Sequence, residues 1–353
     1  MPEHPEIAAI LTTYNRAHLL PRVLEGFTRQ KLAQDRFEIV VIDDGSSDET
    51  QAVLEGFQSR LPMMRVFRQN QAGLAAAKNF GIFVSRAPVL LFVDDDDVPC
   101  PTLLSAHLAG HLRFPSLGTV VLGYTELAPE VASLPLMRHV TGKGGQLFSQ
   151  DWMKPGQVLS FREFWGGRSS AKRRLLTEFG VFNPIFRFGC EDIELSWRLE
   201  ALQGLRVIFE PDARTTMIRA LSFDDFCRRS IRQGRSQWVF AMLHGTETVR
   251  EYCEIDAALA AWAESHRDYA AILRRTRALD RTLQARGADA PPLTAETGAE
   301  IDAAYARAFF LSRAKGVADG AGFPSPLRPP GPVAVAGIGL LDRQKTLPVL
   351  SAI

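Results

Sequence analysis

The sequence predicts an α/β fold with a mostly parallel, Rossmann-like central sheet flanked by helices, and a helical C-terminal extension. Apolar runs without polar alternation, which are typical of parallel strands buried on both faces, occupy residues 7–11, 38–42 and 89–93. Helical spacing of apolar residues follows each run, at residues 19–27, 47–61 and 72–84. From residue 222 onward the pattern is helical and rich in arginine. Alternation of strands and helices favours a sheet that is covered on both sides.

Shorter elements complete the expected order along the chain. Further strands are expected at residues 65–67 and 118–124, an edge strand at 205–209, and a helix at 191–202. Composition divides the chain into three expected regions, which are an α/β domain at 1–220, a helical region at 221–320 and a loop-rich tail at 321–353.

Charge and cysteine content exclude several classes of protein. Of 353 residues, 46% are hydrophobic and 23% are charged, and the formal net charge is +1. A chain so close to neutrality has no overall field that attracts nucleic acid, so no nucleic acid partner is expected. The four cysteines form no C-x-x-C pair, so we expect reduced thiols and no disulfide framework. His107 and His111 have helical i, i+4 spacing without an intervening glutamate, which indicates two histidines on one helix face.

The sequence contains no recognisable targeting signal. Residues 1–6 lack the basic and apolar regions of a signal peptide, and no apolar run is long enough to span a bilayer. We therefore expect a cytoplasmic protein. The arginine-rich helix allows two interpretations, peripheral contact with the inner face of a membrane or packing on the rest of the protein with its arginines in water. The helices that follow it, at 247–318, suit either an acceptor site or a homodimer contact.

Polar residues, most of them acidic, follow three predicted strands at residues 12–15, 43–46 and 94–97. Parallel sheets bind ligands beyond the carboxyl ends of their strands, so these residues form the candidate site. Four adjacent aspartates at 94–97 repel one another, and a divalent cation such as Mg²⁺ or Mn²⁺ relieves that repulsion. The alternation of side chains along a strand sends Asp94 and Asp96 to one side. The alternative is a solvated acidic turn.

Two further acidic motifs stand at the ends of predicted elements. Asp43 and Asp44 end a strand, where a carboxylate can accept hydrogen bonds from a base or a ribose, and Ser47 or Asp48 can cap the next helix. The alternative is an ordinary strand–turn–helix junction. Glu191 and Asp192 open a helix, where they serve either as a simple N-terminal cap or as a general base and its neighbour.

Five motifs occur together in one order, namely T-T-Y-N-R at 12–16, V-I-D-D-G-S-S-D at 41–48, N-Q-A-G-L-A-A-A-K-N at 70–79, F-V-D-D-D-D at 92–97 and E-D at 191–192. The ordered set resembles the family 2 glycosyltransferases of GT-A fold. The resemblance covers roughly residues 5 to 215. It implies an inverting enzyme that moves one sugar from a nucleotide-diphosphate sugar, a UDP-sugar by family habit, to a hydroxyl of a saccharide or lipid-linked acceptor. It also implies Mn²⁺ or Mg²⁺ as a cofactor.

The resemblance implies a role for each matching residue. Asp192 matches the catalytic base, and Glu191 the residue beside it that helps to hold the acceptor. Asp94 and Asp96 match the D-x-D metal ligands. The positions that correspond to nucleotide contacts are Thr12, Tyr14, Asp43, Asp44, Lys78, Asp94 and Asp95. The floor near the donor sugar corresponds to Gly166, Gly167 and Ser169.

The sequence departs from the family pattern at three places. Residues 212–217 lack the histidine of many relatives, and Met217 lies near its expected place, so a third protein ligand for the metal is in question. Arg168 stands where an asparagine is frequent. The Q-x-x-R-W signature of processive synthases is missing, which predicts transfer of a single sugar. Two rival interpretations remain open, a nucleotidyltransferase and a non-catalytic nucleotide-sugar-binding protein of the same fold.

Overall fold

The computed structural model describes residues 5–285 and 294–322. One sheet in this part of the chain contains the strands β1 (Ile7–Thr13), β2 (Phe37–Asp43), β3 (Met64–Arg68), β4 (Val89–Asp94), β5 (Asp97–Pro99), β6 (Thr119–Leu127), β7 (Val158–Leu159), β8 (Ser169–Lys172) and β9 (Arg206–Met217). The helices are α1 (Leu20–Thr28), α2 (Thr50–Phe57), α3 (Leu74–Val84), α4 (Leu103–Arg113), α5 (Pro129–Ala132), α6 (Pro135–Thr141), α7 (Arg173–Phe179), α8 (Glu191–Gln203), α9 (Phe223–His244), α10 (Glu247–Tyr252), α11 (Ile255–Ser265), α12 (Tyr269–Gln284) and α13 (Ala295–Gly320).

The elements predicted in the first 130 residues are confirmed, with small shifts of their ends. The helix expected at 47–61 is shorter and begins only at Thr50, because Asp48 lies outside it and accepts hydrogen bonds from the backbone N–H and hydroxyl of Thr50 at 3.2 and 2.6 Å. Apart from residues 321 and 322, the tail expected at 321–353 lies outside the described residues.

The sheet is mixed, with the strand order β3-β2-β1-β4-β8-β6-β9-β5 and with β7 paired to β9. The strands β3, β2, β1 and β4 run parallel, so that Ile10 pairs with both Val40 and Phe92. β8 runs antiparallel to its neighbours β4 and β6, whereas β6 and β9 are again parallel. The expected parallel arrangement therefore holds for the long strands, while the short strands β5, β7 and β8 are antiparallel.

The expectation of an edge strand at residues 205–209 is wrong in both length and position. β9 continues to Met217, with β6 on one side and the short strands β7 and β5 on the other. The register shifts between Gly123 and Tyr124, which pair with Glu210 and Arg214. The polar residues and the proline at 210–212 interrupt the apolar pattern at this irregularity, so the second half of the strand is hidden in the sequence.

Both faces of the sheet are covered, which explains the absence of polar alternation. Ile7 and Leu11 of β1 pack on one face, in the cluster that includes α1, whereas Ile10 packs on the other face. Helix α3 approaches that second face so closely that a Cβ atom at Gly81 would collide with Ile10. This layered core fixes the positions of the strand ends on which the candidate site is built.

The C-terminal helices pack against each other and against the sheet domain. α9 and α13 approach closely, because a Cβ atom at Gly234 would collide with the backbone oxygen of Arg313, and one at Gly316 with that of Ile231. The apolar residues Phe226 and Phe240 of α9 are buried within the fold. That face of α9 is therefore covered by protein. Among the described residues, none of the helices is both long and apolar enough to cross a membrane.

The two histidines of α4 lie on one buried face. The Oγ of Ser170 is 2.8 Å from Nδ1 of His107 and 3.0 Å from Nε2 of His111. Burial lowers the pKa of both imidazoles to about 3, so both are neutral at physiological pH. The interpretation as two histidines on one helix face is confirmed. All four cysteines are free thiols.

Candidate active site

The polar segments that follow β1, β2 and β4 meet at one edge of the sheet. Thr12 pairs with Asp94 across β1 and β4, and Thr13 pairs with Asp43 across β1 and β2. The hydroxyl of Thr13 donates a hydrogen bond to Oδ2 of Asp95 at 2.8 Å. The expected gathering of polar groups at the carboxyl ends of parallel strands is therefore present.

Asp44 organises the loop that leads into α3. Its Oδ1 accepts hydrogen bonds from the side chain of Gln69 at 2.7 Å and the backbone of Ala72 at 2.8 Å. Its Oδ2 accepts a hydrogen bond from the backbone of Gly73 at 2.9 Å. The carboxylate is thus already engaged in shaping the wall of the site, a role that adds to the nucleotide contact implied by the resemblance.

The other nucleotide candidates at this corner differ in exposure. Asp43 is fully buried, and its Oδ1 accepts a hydrogen bond from the backbone of Ser46 at 2.8 Å. Its Oδ2 makes no hydrogen bond and lies 3.7 Å from Nη1 of Arg68. Thr12 is buried, whereas Tyr14 is 40% exposed and is accessible to a ligand at this corner.

The aspartate run bends back on itself. β4 ends at Asp94, residues 95 and 96 form a turn, and Asp97 begins β5. Strand alternation therefore does not set the direction of Asp96, contrary to the sequence argument. Each of the four carboxylates has its own surroundings.

Three arginines accompany these aspartates. Nη2 of Arg168 lies 3.0 Å from Oδ2 of Asp97 and 3.7 Å from Oδ2 of Asp94. Nε of Arg219 lies 2.9 Å from Oδ2 of Asp96. Arg16 lies 3.8 Å from Asp95. The protein itself therefore offsets part of the repulsion that the sequence analysis assigned to a cation alone.

The pKa values of the buried aspartates show that the compensation is incomplete. Burial raises the pKa of Asp95 to about 7, and the negative charge of Asp96 adds to the rise. Burial raises the pKa of Asp97 to about 7 as well, although Arg168 opposes it. Burial also raises the pKa of Asp96 against the effect of Arg219. Asp94 has the most open side chain of the four, 36% exposed.

Asp94 and Asp96 suit a divalent cation that is shared with a substrate. Mg²⁺ is commonly held by one or two carboxylates together with substrate phosphates. Within the described ranges there is no group of three His, Cys, Asp or Glu side chains placed to hold a metal. Gly167 leaves room for the carboxylate of Asp94, because a Cβ atom there would collide with it. The residues present thus fit a two-carboxylate site that phosphate oxygens complete.

Asp192 lies at the start of α8, directly beside the glycine pair. Its Oδ2 accepts a hydrogen bond from the backbone N–H of Gly166 at 2.9 Å, and its Oδ1 accepts one from Ile193 at 2.9 Å. Burial raises its pKa to about 6, with a further contribution from the charge of Glu191. A half-buried carboxylate with a raised pKa thus lies against Gly166, while the carboxylate of Asp94 lies against Gly167.

Lys78 and Glu191 form a buried ion pair behind Asp192. Nζ of Lys78 lies 3.0 Å from Oε1 of Glu191, and both side chains are less than 5% exposed. Burial by itself lowers the pKa of Lys78, but Glu191, Asp192 and Asp94 together hold it above its ordinary value. Oε2 of Glu191 is buried without a hydrogen-bond partner among the described residues. Lys78 thus lies at the candidate base, which the sequence alone did not indicate.

Comparison with known proteins identifies the N-terminal part of this arrangement. The Glycosyl transferase family 2 model matches residues 8–136, which run from β1 through β6 and include the aspartates of both strand ends. The resemblance to family 2 glycosyltransferases is therefore confirmed over these residues. Validoxylamine A glucosyltransferase from Streptomyces hygroscopicus subsp. jinggangensis is 32% identical over 219 residues, which cover 56% of this chain and 52% of that protein. The chain thus spans about half the length of the first curated relatives it matches.

Solved structures confirm the GT-A fold of this chain and its helical extension. The mannosyltransferase PcManGT from Pyrobaculum calidifontis, solved with GDP-Man and Mn²⁺, superposes with a TM-score of 0.57 at 18% identity over 90% of this chain and 88% of that one. TarS residues 1–349 from S. aureus, solved with UDP-GlcNAc, gives a TM-score of 0.50 at 15% identity over 85% and 89%.

Two positions of the family pattern, Ser169 and Met217, are both buried. Ser169 begins β8 and is fully buried, and its Oγ has no partner among the described residues. It therefore lies beneath the surface of the candidate site. Met217 ends β9, is buried and pairs with Asp97 in the sheet. The position near which the resemblance leads us to expect a histidine thus holds a buried thioether.

Arg219 is the site residue that the sequence analysis missed. It follows β9 by two residues and reaches Asp96, 123 positions earlier in the chain. The available signal was its position just beyond a strand, the same criterion that selected the aspartates. Because the predicted strand ended at residue 209, Arg219 did not stand at a predicted strand end. Arg168 was noted only as a departure from the family, whereas its contacts with Asp97 and with the hydroxyl of Thr125 at 2.8 Å make it part of the site's frame.

Proposed function

We propose that this protein is an inverting glycosyltransferase that moves one sugar from a nucleotide-diphosphate sugar to an acceptor hydroxyl. Residues 1–220 would supply the donor site and the base, and the helices at 221–320 would complete the acceptor side. The names of the relatives and the nucleotide sugars bound to the structural neighbours support this activity. The absence of a processive signature supports transfer of a single unit.

The observation that carries the proposal is that Asp192 and Asp94 lie against two consecutive residues, Gly166 and Gly167. One carboxylate has a pKa raised to about 6, which suits a general base near neutral pH. The other is open to solvent and stands at the end of a parallel strand, where substrates of such sheets bind. Two carboxylates in one place with different surroundings can serve two different roles.

The chemistry assigned to Asp192 is proton removal from the acceptor hydroxyl. As the acceptor oxygen forms its bond to the anomeric carbon, the bond from that carbon to the diphosphate oxygen breaks and the proton passes to the Asp192 carboxylate. The N–H groups of Gly166 and Ile193 hold that carboxylate in a fixed direction. Attack from the side opposite the leaving group inverts the anomeric carbon, and binding both substrates in one cleft supplies the required orientation.

Asp94 and Asp96 are proposed as the residues that hold Mn²⁺ or Mg²⁺. When bound, such an ion supplies positive charge against the departing diphosphate. Arg219 contacts the Asp96 carboxylate itself, and Arg168 holds the neighbouring carboxylate of Asp97.

Tyr14 is proposed to contact the nucleoside, and the buried Asp43 to hold the neighbouring turn through the backbone of Ser46. UDP is the proposed nucleotide of the donor. The proposed acceptor is a hydroxyl group of a saccharide or of a lipid-linked substrate. The reaction is proposed to take place on the cytoplasmic side of the membrane.

The decisive experiment replaces the base without changing its shape. Asp192→Asn should lower turnover by roughly 10²- to 10⁴-fold, the usual contribution of a general base, while nucleotide affinity stays within about twofold. Sugar transfer and donor hydrolysis would be measured with UDP- and GDP-sugars and Mn²⁺, and nucleotide binding by calorimetry. Asp212→Asn, at an exposed aspartate, is the matched control. Near-normal turnover of Asp192→Asn would exclude it as the base.

The same assays separate the rival functions. A nucleotidyltransferase would join a nucleoside triphosphate to a sugar phosphate and release pyrophosphate. A binding protein would retain nucleotide-sugar affinity without hydrolysis or transfer under any metal condition. Either result would replace the proposal. A thermal-shift screen of nucleotide sugars with Mn²⁺ selects the donor to be assayed. Binding raises the free energy of unfolding by an amount that grows with the affinity and the concentration of the ligand.

A further inference from the structure

Helix α9 is fixed to the segment that carries the base. The hydroxyl of Ser236 donates a hydrogen bond to the backbone oxygen of Phe188 at 2.6 Å. The side chain of Gln233 donates one to Sγ of Cys190 at 3.3 Å. Both acceptors lie within four residues of Asp192. Side chains on this face of α9 are therefore held beside the active site.

Two arginines of α9 cover the ring of Phe188. The guanidinium carbon of Arg232 is 3.9 Å from the ring centroid, and that of Arg229 is 5.2 Å away. The ring holds both guanidinium groups through cation–π contact. Arg232 is exposed, as the interpretation with arginines in water expects, but the contact of both guanidinium groups with Phe188 was not expected.

The arginines of α9 fall into two pairs with different partners. Arg228 lies 2.6 Å from Asp225, and Arg235 lies 2.7 Å from Asp319. Arg229 and Arg232 have no carboxylate within 4.0 Å among residues 5–285 and 294–322. The uncompensated pair is thus the one that faces the segment of the base.

Several of the charged residues that affect the pKa values of this pair belong to the active site. Burial and the neighbouring Arg219 lower the pKa of Arg229, whereas Asp94 and Glu191 raise it. Burial lowers the pKa of Arg232, and Arg219, Arg228 and Arg16 add to the effect. Arg229 is partly buried and Arg232 is exposed, so both guanidinium groups have N–H donors that remain available to an anion.

We propose that Arg229 and Arg232 bind a phosphate group of the acceptor. This inference rests on the proposed glycosyl transfer and narrows its acceptor to a phosphate-bearing class. Two guanidinium groups present several N–H donors to one anion and match the geometry of phosphate oxygens. The acceptor side is favoured because the pair stacks on Phe188, four residues before the base, whereas the donor diphosphate has Asp94 and Asp96 with their cation.

The test uses glycerol 3-phosphate as a minimal probe, which carries both a hydroxyl and a phosphate, and glycerol as an uncharged competitor that should not displace it. Binding is followed by phosphorus NMR titration of the full chain, with and without saturating UDP and Mg²⁺. We expect the probe to bind in both conditions, and Arg232→Ala and Arg229→Lys each to weaken it. The loss for Arg232→Ala should be about tenfold or more, the scale of a charge-assisted hydrogen bond. Arg232 is exposed, so its removal leaves the fold intact.

Arg228→Ala is the matched control, because it removes the same charge from the same helix at an arginine that already has a partner. An equal loss in this control would mean a diffuse positive field and would overturn the site. Competition between UDP and the probe would place the arginines on the donor diphosphate and overturn the acceptor assignment. The titration needs no turnover. Failure of sugar transfer with intact probe binding would therefore count against the proposed function and leave the phosphate site standing.

Discussion

Asp192 lies in surroundings that make its protonation state sensitive to mild acid. Burial and Glu191 raise its pKa to about 6, so the carboxylate is ionised at neutral pH and takes up a proton as the pH falls through 6. A general base works only in its ionised form. We expect kcat/KM to be level above pH 7 and to fall about tenfold per pH unit well below 6. A level profile down to pH 5, measured at constant metal concentration, would contradict the assignment.

Glu191→Gln tests the electrostatic cause of that profile. The substitution removes the negative charge that raises the pKa of Asp192 and leaves Lys78, which lowers it. The acidic limb of the kcat/KM profile should therefore move to lower pH, whatever happens to the absolute rate. Glu200→Gln, on the same helix but without a charged partner among the described residues, should leave the midpoint unchanged. A midpoint that stays near 6 in Glu191→Gln would show that Glu191 does not act on the base through its charge.

Sequence reasoning found the acidic residues of this site but not their basic partners. Asp94 and Asp192 stand directly after a buried strand and at the start of a helix, so local pattern and family motif were enough. Arg219 and Arg168 meet their aspartates across 123 and 71 positions of the chain. Such contacts depend on how β9 and β8 pair in the sheet, which no local pattern specifies.

At the scale of elements, the turn between β4 and β5 and the loop before β8 form one unit. Because Gly167 in that loop has no side chain, the carboxylate of Asp94 fits against its backbone. Gly167→Ala should push that side chain aside, because a flexible carboxylate yields more readily than backbone. We expect metal-dependent nucleotide affinity to fall roughly 10- to 100-fold, the scale for disturbing the support of a metal ligand. Calorimetry with UDP, with and without Mn²⁺, measures it.

Gly56→Ala is the control for that substitution, since it adds the same methyl group in α2 with no atom within 4 Å. It should leave nucleotide binding unchanged. Nucleotide affinity that falls equally with and without Mn²⁺ in Gly167→Ala would mean damage to the loop as a whole. Unchanged affinity in both conditions would remove Asp94 from the proposed metal site.

Elements with a continuous pattern were predicted correctly, and those interrupted by an irregularity were not. The runs that became β1, β2 and β4 are apolar at almost every position, because both faces of the sheet are covered. β9 contains a proline and a register shift, so its two halves have unrelated patterns and only the first was recognised. The short antiparallel strands β5 and β7 have three and two residues, too few for any periodicity to be detected.

At the scale of the whole molecule, the C-terminal helices are part of the active site's support. α13 holds α9 through close backbone contact, and α9 in turn holds the segment from Phe188 to Cys190. The sequence predicted that these residues are helical, since their spacing is periodic. It left open whether α9 faces a membrane or the protein, because amphipathic patterns are compatible with either.

Gly316→Ala tests this chain of support, and Gly298→Ala in the same helix is its control. A Cβ atom at Gly316 would meet the backbone oxygen of Ile231, which cannot turn away as a side chain can, whereas Gly298 has open space around it. Overpacking costs about 1–3 kcal/mol, while replacing glycine in a helix gains about 1 kcal/mol at most. Urea denaturation should therefore show a lower midpoint for Gly316→Ala and an equal or higher one for Gly298→Ala. If α9 also moves, glycerol 3-phosphate binding at Arg229 and Arg232 should weaken in Gly316→Ala alone. Equal midpoints for the two variants would show that the contact between α9 and α13 does not support the site.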